Sequence, residues 1–434
     1  MTMTRNTYLF AGVAALYVAT GMFYSWNLTL NILNLGILSA IMALGVNIQW
    51  GYAGLFSTGI VGSVALGGLA VVLVTGNPVP EGFAAGGSRI ISAFAFAVVA
   101  IAAISLTYRR MAPGRSRSIA VVLAMVVAFV IYRVLLDPGV TAVETNNPEQ
   151  AGNIGGLGWN PLIAWPVGAL LAAAAAWVIG KIALGLREDY LAIATLGIAE
   201  IVVAAMKNED WLARGVKNLG FNQRPWPVPY EVDLQVNPAF LSFAQSLGSD
   251  PTTTSTIMVK LLYAFMFTLV LGALIFLSER ALNSPWGRMM RAIRDNEVAA
   301  SAMGKHVTQR HLQIFIVGSA VVGLGGAMYT SMVTQINPGE YIPLRFTFLI
   351  WVMVIVGGSG NNWGSVLGGL LIGWLYFIVE DVGPRLMAAV TQWMPAGDLR
   401  QHLIDSSQHL RLVTLGVILL LVLRFAPKGL IPEK

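Results

Sequence analysis

The carboxyl group of Glu200 is the side chain whose position in this sequence most strongly suggests chemistry. It lies inside an apolar run, YLAIATLGIAEIVVAAM. A carboxyl at membrane depth is costly to bury, and such residues commonly line a pathway or pair with a basic group. Glu200 is therefore a candidate pathway residue, whereas a position close to the membrane–water interface would leave it in water with no such role.

Asn47 and Thr195 are further polar residues within apolar runs, and both are candidates for lining a pathway. Asn47 stands two residues before Gln49. Amide and hydroxyl side chains of this kind also form hydrogen bonds between membrane helices. For Asn47 and Gln49 we favour this packing role over a pathway role.

The chain lacks the patterns on which enzyme sites are commonly built. It contains no cysteine, which excludes thiolate ligands and cysteine nucleophiles. It also contains no G-x-x-x-x-G-K-S/T phosphate loop, no G-x-S-x-G turn and no H-E-x-x-H pair. None of its histidines forms an H-x-x-x-H pair: His306, His311, His402 and His409. We therefore expect a chain that is not an enzyme and that binds no metal and no cofactor itself.

The composition is that of a polytopic membrane protein. Of 434 residues, 56% are hydrophobic and 11% are charged, whereas a soluble domain is about 25% charged. The net charge of +6 comes from basic residues clustered in loops, which indicates membrane orientation and not a nucleic-acid surface. The sequence predicts an all-α polytopic membrane protein with a single transmembrane domain over residues 1–434.

The apolar runs predict about ten to twelve membrane segments, since a helix needs about 20 apolar residues to cross a bilayer. Three of them, at 55–74, 190–206 and 346–356, are short or rich in glycine, and we expect broken or re-entrant helices there. The candidate segments are Tyr8–Tyr24, Leu30–Ile48, Leu55–Val74, Ile90–Tyr108, Ile119–Leu136, Pro161–Ile182, Tyr190–Met206, Ile257–Leu277, Leu312–Val333, Phe346–Val356, Val366–Val379 and Leu410–Phe425.

Loop charges predict the orientation, because Lys and Arg are retained in the cytoplasm. The basic loops are residues 109–117, 280–294 and 424–428. Residues 137–159 contain acidic residues but no Lys or Arg, so they should lie outside. This assignment places both termini in the cytoplasm, makes residues 279–310 a cytoplasmic loop and makes residues 207–256 an external polar loop.

Glycines at a spacing of four mark a close helix contact in the run GSVLGGLLIG. They are Gly364, Gly368, Gly369 and Gly373. Small residues at this spacing allow two helix backbones to approach closely. We expect helix packing here in preference to a hinge or a pore lining.

The charged segment at residues 283–304, NSPWGRMMRAIRDNEVAASAMG, is predicted to form two short helices. Ser284 can cap a helix that begins at Pro285. Asp295 can cap a second helix, and Gly304 can end it in the left-handed conformation. Such helices suit either a groove on a soluble partner or an anionic lipid surface. The residues alone leave open a secondary transporter, a channel or the membrane subunit of a larger pump.

This segment resembles the cytoplasmic loop of permease subunits of ABC importers for branched-chain amino acids, which reads much like S-P-x-G-R-x-x-x-A-I-R-D/E-D/N-E-x-A-A-x-x-x-G. The matching residues are Ser284, Pro285, Gly287, Arg288, Ala292, Ile293, Arg294, Asp295, Asn296, Glu297, Ala299, Ala300 and Gly304. Residues 189–201 resemble the family's D-Y-x-A-I-x-T-L-G-x-x-E-I, and residues 356–364 resemble its V-G-G-x-G-x-x-x-G. Two regions depart: residues 76–158 are longer than usual and hold two spans, and residues 213–219 replace a T-G-G-x-x-G-L segment.

The resemblance implies an ABC importer permease fold in a bacterial inner membrane. It also implies a second homologous permease subunit, two ATPase subunits that bind ATP and Mg²⁺, and a periplasmic substrate-binding protein. The residues it assigns to coupling with the ATPase are Ser284, Pro285, Gly287, Arg288, Arg291, Arg294, Asp295, Glu297, Ala300 and Gly304. The implied substrates are branched-chain amino acids or related small zwitterionic or neutral solutes. The alternatives are urea or short amides in the same family, or an ion-coupled secondary transporter that uses Glu200.

Overall fold

The computed structural model describes residues 2–146, 152–395 and 397–433. Its α-helices are α1 (Thr2–Phe23), α2 (Trp26–Ala53), α3 (Ile60–Thr75), α4 (Pro80–Gly82), α5 (Ser88–Arg110), α6 (Arg115–Thr145), α7 (Pro161–Ala183), α8 (Glu188–Asn208), α9 (Asp210–Ala213), α10 (Glu231–Val236), α11 (Pro238–Ser246), α12 (Pro251–Leu282), α13 (Pro285–Asp295), α14 (Glu297–Ala302), α15 (Val307–Val333), α16 (Leu349–Gly357), α17 (Asn362–Val390), α18 (Asp398–Ser406) and α19 (Leu410–Phe425). The remaining elements are π-helical turns at Phe83–Gly87 and Leu344–Phe348, 3₁₀ turns at Pro338–Glu340 and Ser407–His409, and the two-residue strands β1 (Leu219–Gly220) and β2 (Gln335–Ile336).

Within those described ranges, nine helices are long and apolar enough to cross a membrane. A further pair, α18 and α19, meets the same criterion as a span bent by 54°. Two shorter apolar helices, Ile60–Thr75 and Arg345–Gly357, lie where short segments were expected. The prediction of an all-α polytopic membrane protein is confirmed. The expected break at 190–206 is wrong, because α8 is continuous from Glu188 to Asn208.

Helix α2 is the centre of the bundle. It packs against α12, α15, α16 and α17, while α15 also packs against α3 and α7. Its residues from Gly36 to Gln49 are all buried. A helix that is apolar on every side is stable only when other helices surround it, and this arrangement accounts for its position.

Helices α5 and α6 form a hairpin at the edge of the bundle, within the region 76–158 that departs from the family pattern. They pack mainly on each other, and most of their apolar side chains are exposed. A small cluster that includes Ile90, Leu136 and Trp211 attaches the hairpin to α9. Residues 147–151 of this region lie outside the described ranges.

The polar segment 207–256, which is predicted to be external, contains three short helices, α9, α10 and α11, before α12 begins at Pro251. Strand β1 in this segment pairs antiparallel with β2, where Leu219 is opposite Ile336. This pairing attaches the segment to the end of α15. The Asp250 carboxylate caps α12 by accepting the N–H of Thr253 at 3.2 Å.

The glycines of α17 lie at points where helix backbones meet. A Cβ on Gly368 would come 1.9 Å from the carbonyl oxygen of Met353 in α16, and one on Gly364 would come 2.8 Å from that of Gly357. On the other side of α17, a Cβ on Gly369 would come 2.5 Å from the Cα of Ala40. A Cβ on Gly373 would lie 3.2 Å from the Cα of Gly36, which is a less close approach. These positions account for the close packing of α17 against both α16 and α2.

Candidate functional site

The segment between α12 and α15 forms the two short helices that the sequence predicts. Helix α13 begins at Pro285, and Gly304 has φ = 77° after α14. Both expected caps are wrong. The Ser284 hydroxyl donates back to the carbonyl of Ala281 at 2.6 Å. Asn296, not Asp295, caps α14, since its Oδ1 accepts the N–H of Ala299 at 2.9 Å.

One face of α13 is fixed against the membrane domain. Gly287, Met290 and Ile293 are buried, and their spacing of three places them on a single face of a helix. A Cβ at Gly287 would lie 2.1 Å from the carbonyl oxygen of Leu282. Glycine therefore permits the tight turn by which α13 folds back onto the end of α12.

The arginines of α13 bind groups within the same chain. Arg291 donates to the carbonyl of Leu282 at 3.1 Å, and Arg288 donates to that of Asn283 at 3.3 Å. Arg294 donates to the carbonyl of Gly51 at the end of α2. The resemblance assigned these arginines to coupling with the ATPase, and nothing in the local sequence pattern reveals their backbone acceptors within the chain.

The guanidinium of Arg294 also binds the C-terminal tail. Its Nη1 lies 2.9 Å from Glu433 Oε2, and its Nη2 donates to Oε1 at 3.2 Å. Although burial opposes the charge, the hydrogen-bonded ion pair with Glu433 raises the pKa of Arg294 above its ordinary value. Two backbone hydrogen bonds of 2.9 Å fix the tail. The Leu430 N–H donates to the carbonyl of Val356, and the Ile431 N–H donates to the carbonyl of Gly357. Arg294 therefore joins α13, α2 and a tail that lies along the end of α16.

Asn47 forms a buried network beside this ion pair. Its Oδ1 accepts the N–H of Gly360 at 2.9 Å, and its Nδ2 donates to Asn362 Oδ1 at 3.3 Å. Asn362 in turn donates to Glu279 Oε1 at 3.0 Å. Because Glu279 lies in the last turn of α12, the network connects α2 and the start of α17 to the base of the α13–α14 loop.

Helix α14 and the turn after it expose apolar side chains. Val298 and Met303 are each 80% exposed, while Ala300 packs inward. Glu297 and Ser301 are also exposed. The coupling residues that the resemblance assigned lie in both helices and the turn after them. On α14 and that turn, the exposed groups are the apolar side chains of Val298 and Met303 and the carboxylate of Glu297.

The three candidate pathway residues are in different environments. Asn47 and Thr195 are buried, and Thr195 Oγ1 accepts the N–H of Thr58 at 3.2 Å. Both therefore hold helices together in this conformation. Glu200, in the middle of α8, is exposed on the side that faces away from the bundle. Nothing in the described part of the chain forms a hydrogen bond or an ion pair with its carboxylate.

No group of three or more histidine, aspartate or glutamate side chains that could hold a metal ion occurs within residues 2–146, 152–395 and 397–433. The charged groups near the loop form pairs and hydrogen-bonded chains, such as Arg294 with Glu433 and Asn362 with Glu279. The arrangement can hold helices together and offer a surface to another molecule.

Two stretches of the chain, residues 28–156 and 151–423, match the family of permease components of branched-chain amino acid transport systems. Together they span most of its length. The chain belongs to this family. The loop at 283–304 lies inside the second stretch, as do α8 and the glycine-rich contact of α16 with α17.

Named relatives agree with this membership. This permease is 27% identical over 269 residues to a probable branched-chain amino acid transport permease protein LivM of Methanocaldococcus jannaschii, covering 61% of this chain and 67% of that protein. It is 26% identical over 245 residues to the high-affinity branched-chain amino acid transport system permease protein LivM of Escherichia coli, covering 54% of this chain and 56% of the relative.

A shorter stretch of the permease resembles the fructose import permease protein FrcC of Rhizobium meliloti, at 26% identity over 112 residues, 25% of this chain and 30% of that protein. No solved structure matches the permease significantly.

Proposed function

We propose that this permease is a membrane-spanning subunit of an ATP-driven importer that translocates branched-chain amino acids or related small zwitterionic or neutral solutes. The observation that supports it best is that one helix of the loop is fixed to the membrane domain while the other is exposed. Helix α13 is fixed to the membrane domain by Met290, Ile293 and Arg294, while Val298 of α14 and Met303 in the turn after it face outward. An exposed apolar surface beside a helix that is fixed to the membrane domain suits insertion into a groove on a soluble partner.

The partners of this proposal are two ATPase subunits, which carry ATP and Mg²⁺, a second homologous permease subunit and a periplasmic substrate-binding protein. Movement of α14 would reach the bundle through two connections. Arg294 links α13 to Gly51 of α2, and Glu279 links α12 to Asn362 of α17. Displacement of the loop would thereby shift α2 and α17 together, which is how a ligand on other chains can bias a two-state membrane domain.

The proposed location is the bacterial inner membrane, with both termini in the cytoplasm. The contact of Glu433 with Arg294 places the C-terminal tail on the same side as the basic loop. The Arg5 guanidinium donates to the carbonyl of Leu430 at 3.3 Å, so the N-terminal helix begins on that side too. Basic loops are retained in the cytoplasm, and this supports the orientation.

The experiment that tests the proposal is copurification of the tagged permease from gently solubilised native membranes, with the accompanying chains identified by mass. We expect an ATPase to accompany the wild-type chain and to be lost from the variant Val298→Asp. The matched control is Val232→Asp, because Val232 in α10 is also a highly exposed valine, at 68%, but lies in the predicted external segment. Absence of any ATPase from the wild-type preparation, or its equal loss from both variants, would contradict the proposal.

A second candidate is an ion-coupled secondary transporter, and the position of Glu200 favours it. A carboxylate in the middle of a membrane helix and facing away from the bundle is rare unless it serves a pathway or a partner. This candidate requires gradient-dependent uptake by the purified chain alone in liposomes. The importer proposal requires that the chain alone transports nothing.

A further inference from the structure

A cavity of about 1000 Å³ opens between the end of α7, the start of α15 and the helix α14. Neither Arg294 nor Asn47 lines this cavity. One part of its wall is apolar and includes Trp177, Leu312 and Ile316. Another part is basic and is formed by Lys181, Lys305 and His306.

The apolar wall extends along the candidate membrane spans of α7 and α15. Ile316 lies nine residues after the start of α15 at Val307, a rise of about 13 Å along a helix. Trp177 lies six residues before the end of α7 at Ala183, a rise of about 9 Å. Trp177 is 52% exposed. Apolar side chains, together with the amides of Gln309 and Gln313, therefore line the groove from the helix ends inward along the predicted spans.

The basic residues lie at the mouth of the groove. Lys181 is in the last turn of α7, and Lys305 and His306 immediately precede α15. The carboxylate of Glu297 is the acidic group that the lining of this cavity includes. The start of α15 adds the positive end of its helix dipole at the same place. The mouth thus carries an excess of positive charge beside an apolar slot.

We propose that this cavity binds an anionic phospholipid of the cytoplasmic leaflet. The phosphate would lie among Lys181, Lys305 and His306, and one acyl chain would lie along Leu312 and Ile316. Basic pockets between membrane helices on the cytoplasmic side recognise anionic headgroups in this way. A soluble anion would not account for the apolar depth of the groove, and an uncharged lipid would not account for its basic mouth.

A bound lipid would also support the loop. Glu297 and Ser301 of α14 line the same cavity, so the lipid would fill the space on one side of this short helix. This inference rests on the cytoplasmic orientation proposed above, but it is independent of the substrate, because it depends on the cavity walls of one chain.

The test is native mass spectrometry of the full-length permease released from nanodiscs of either phosphatidylglycerol or phosphatidylcholine. The test variant is the triple substitution Lys181→Ala, Lys305→Ala, His306→Ala. The control is Arg109→Ala, Arg110→Ala, Arg115→Ala, which also removes three basic side chains from an exposed surface, near the turn between α5 and α6. The control separates a defined site from a general attraction of anionic lipid to basic loops.

We expect wild-type and control permease to retain phosphatidylglycerol in preference to phosphatidylcholine, and the triple variant to retain about tenfold less, because each basic residue contributes separately to lipid binding. Equal retention of both lipids by the wild type, or equal losses in both variants, would overturn the proposal. A partner protein that occupies this face in place of lipid would overturn it as well.

Trp177 provides a second readout that does not depend on the folding of a triple variant. Phosphatidylglycerol with brominated acyl chains should quench the fluorescence of wild-type permease more than brominated phosphatidylcholine does. The single variant Trp177→Phe should retain the lipid but lose most of this difference. Quenching that is the same for both lipids, or unchanged in Trp177→Phe, would contradict the site.

Discussion

Arg294 and Glu433 lie 139 residues apart in the sequence and meet through two nearly parallel contacts, at 2.9 and 3.2 Å. The same guanidinium donates to the carbonyl of Gly51. A planar guanidinium can bind a carboxylate with two N–H groups while another reaches a carbonyl, which an ammonium cannot reproduce. This one side chain therefore joins the proposed coupling loop to the central helix and to the C-terminal tail.

The first prediction concerns this contact. Glu433→Gln should lower the stability of the purified permease by about 1 kcal/mol or less, since the pair is partly exposed to solvent. Arg294→Ala should cost more, about 1–3 kcal/mol, because it also leaves the Gly51 carbonyl without its donor. Thermal unfolding in detergent measures the difference, and Asp233→Asn is the control because this carboxylate, in α10, is exposed. Equal shifts in all three variants would contradict the role given to Arg294.

The second prediction concerns the contact of α16 with α17. Gly368→Ala should destabilise the permease by about 1–3 kcal/mol through overpacking, because the added Cβ would come 1.9 Å from the carbonyl of Met353. Gly416→Ala in α19 is the matched control, since a Cβ there meets nothing within 4 Å. Thermal unfolding of both variants decides the point, and a Gly368→Ala variant as stable as the control would show that the two helices are free to separate.

The third prediction concerns the buried amide of Asn47. Asn47→Leu should destabilise the permease by about 1–3 kcal/mol, the cost of leaving buried polar groups unpaired. The groups left without their partner are the N–H of Gly360 and Oδ1 of Asn362. Asn208→Ala is the control, because that side chain is exposed and bonds only to the carbonyl of Ala204 in its own helix. If Asn47 instead serves only to line a pathway, uptake should change without a change in stability.

The fourth prediction concerns Glu297, the exposed carboxylate at the start of α14. Glu297→Lys should leave the amount of permease in the membrane unchanged but uncouple solute uptake from ATP hydrolysis, because it reverses a charge on the proposed docking surface. Uptake of labelled leucine in cells, compared with membrane levels by immunoblot, measures both effects. Glu81→Lys is a control at another exposed glutamate. Wild-type uptake by Glu297→Lys would refute the coupling role of this loop.

The fifth prediction concerns Glu200. If the permease works as an importer subunit, Glu200→Gln should alter the rate of uptake or the retention of a second permease subunit, since a carboxylate exposed at membrane depth requires a polar environment. It should not introduce or remove a dependence on a proton or sodium gradient. Uptake with and without an ionophore measures this, and loss of a gradient dependence in the variant would favour the secondary transporter instead.

The long apolar runs were sufficient to predict the membrane helices, because span length and hydrophobicity are local properties. Pro285 likewise marks the start of α13, and Gly304 marks the end of the loop, since each residue restricts or permits its own backbone angles. The caps were predicted less well. Ser284 and Asp295 have the right chemistry, but neighbouring acceptors and a one-residue shift to Asn296 decided which side chain forms the bond.

By itself, the sequence determined the class of protein, the approximate helices and the pattern of the loop, because each depends on residues close together in the chain. Only the tertiary structure decided that Arg294 turns toward Glu433 and Gly51, and that Asn47 reaches Gly360 and Asn362. It also placed the end of α7 and the start of α15 around one cavity. These are contacts between residues far apart in the chain, and their partners are chosen by helix packing, which no local pattern records.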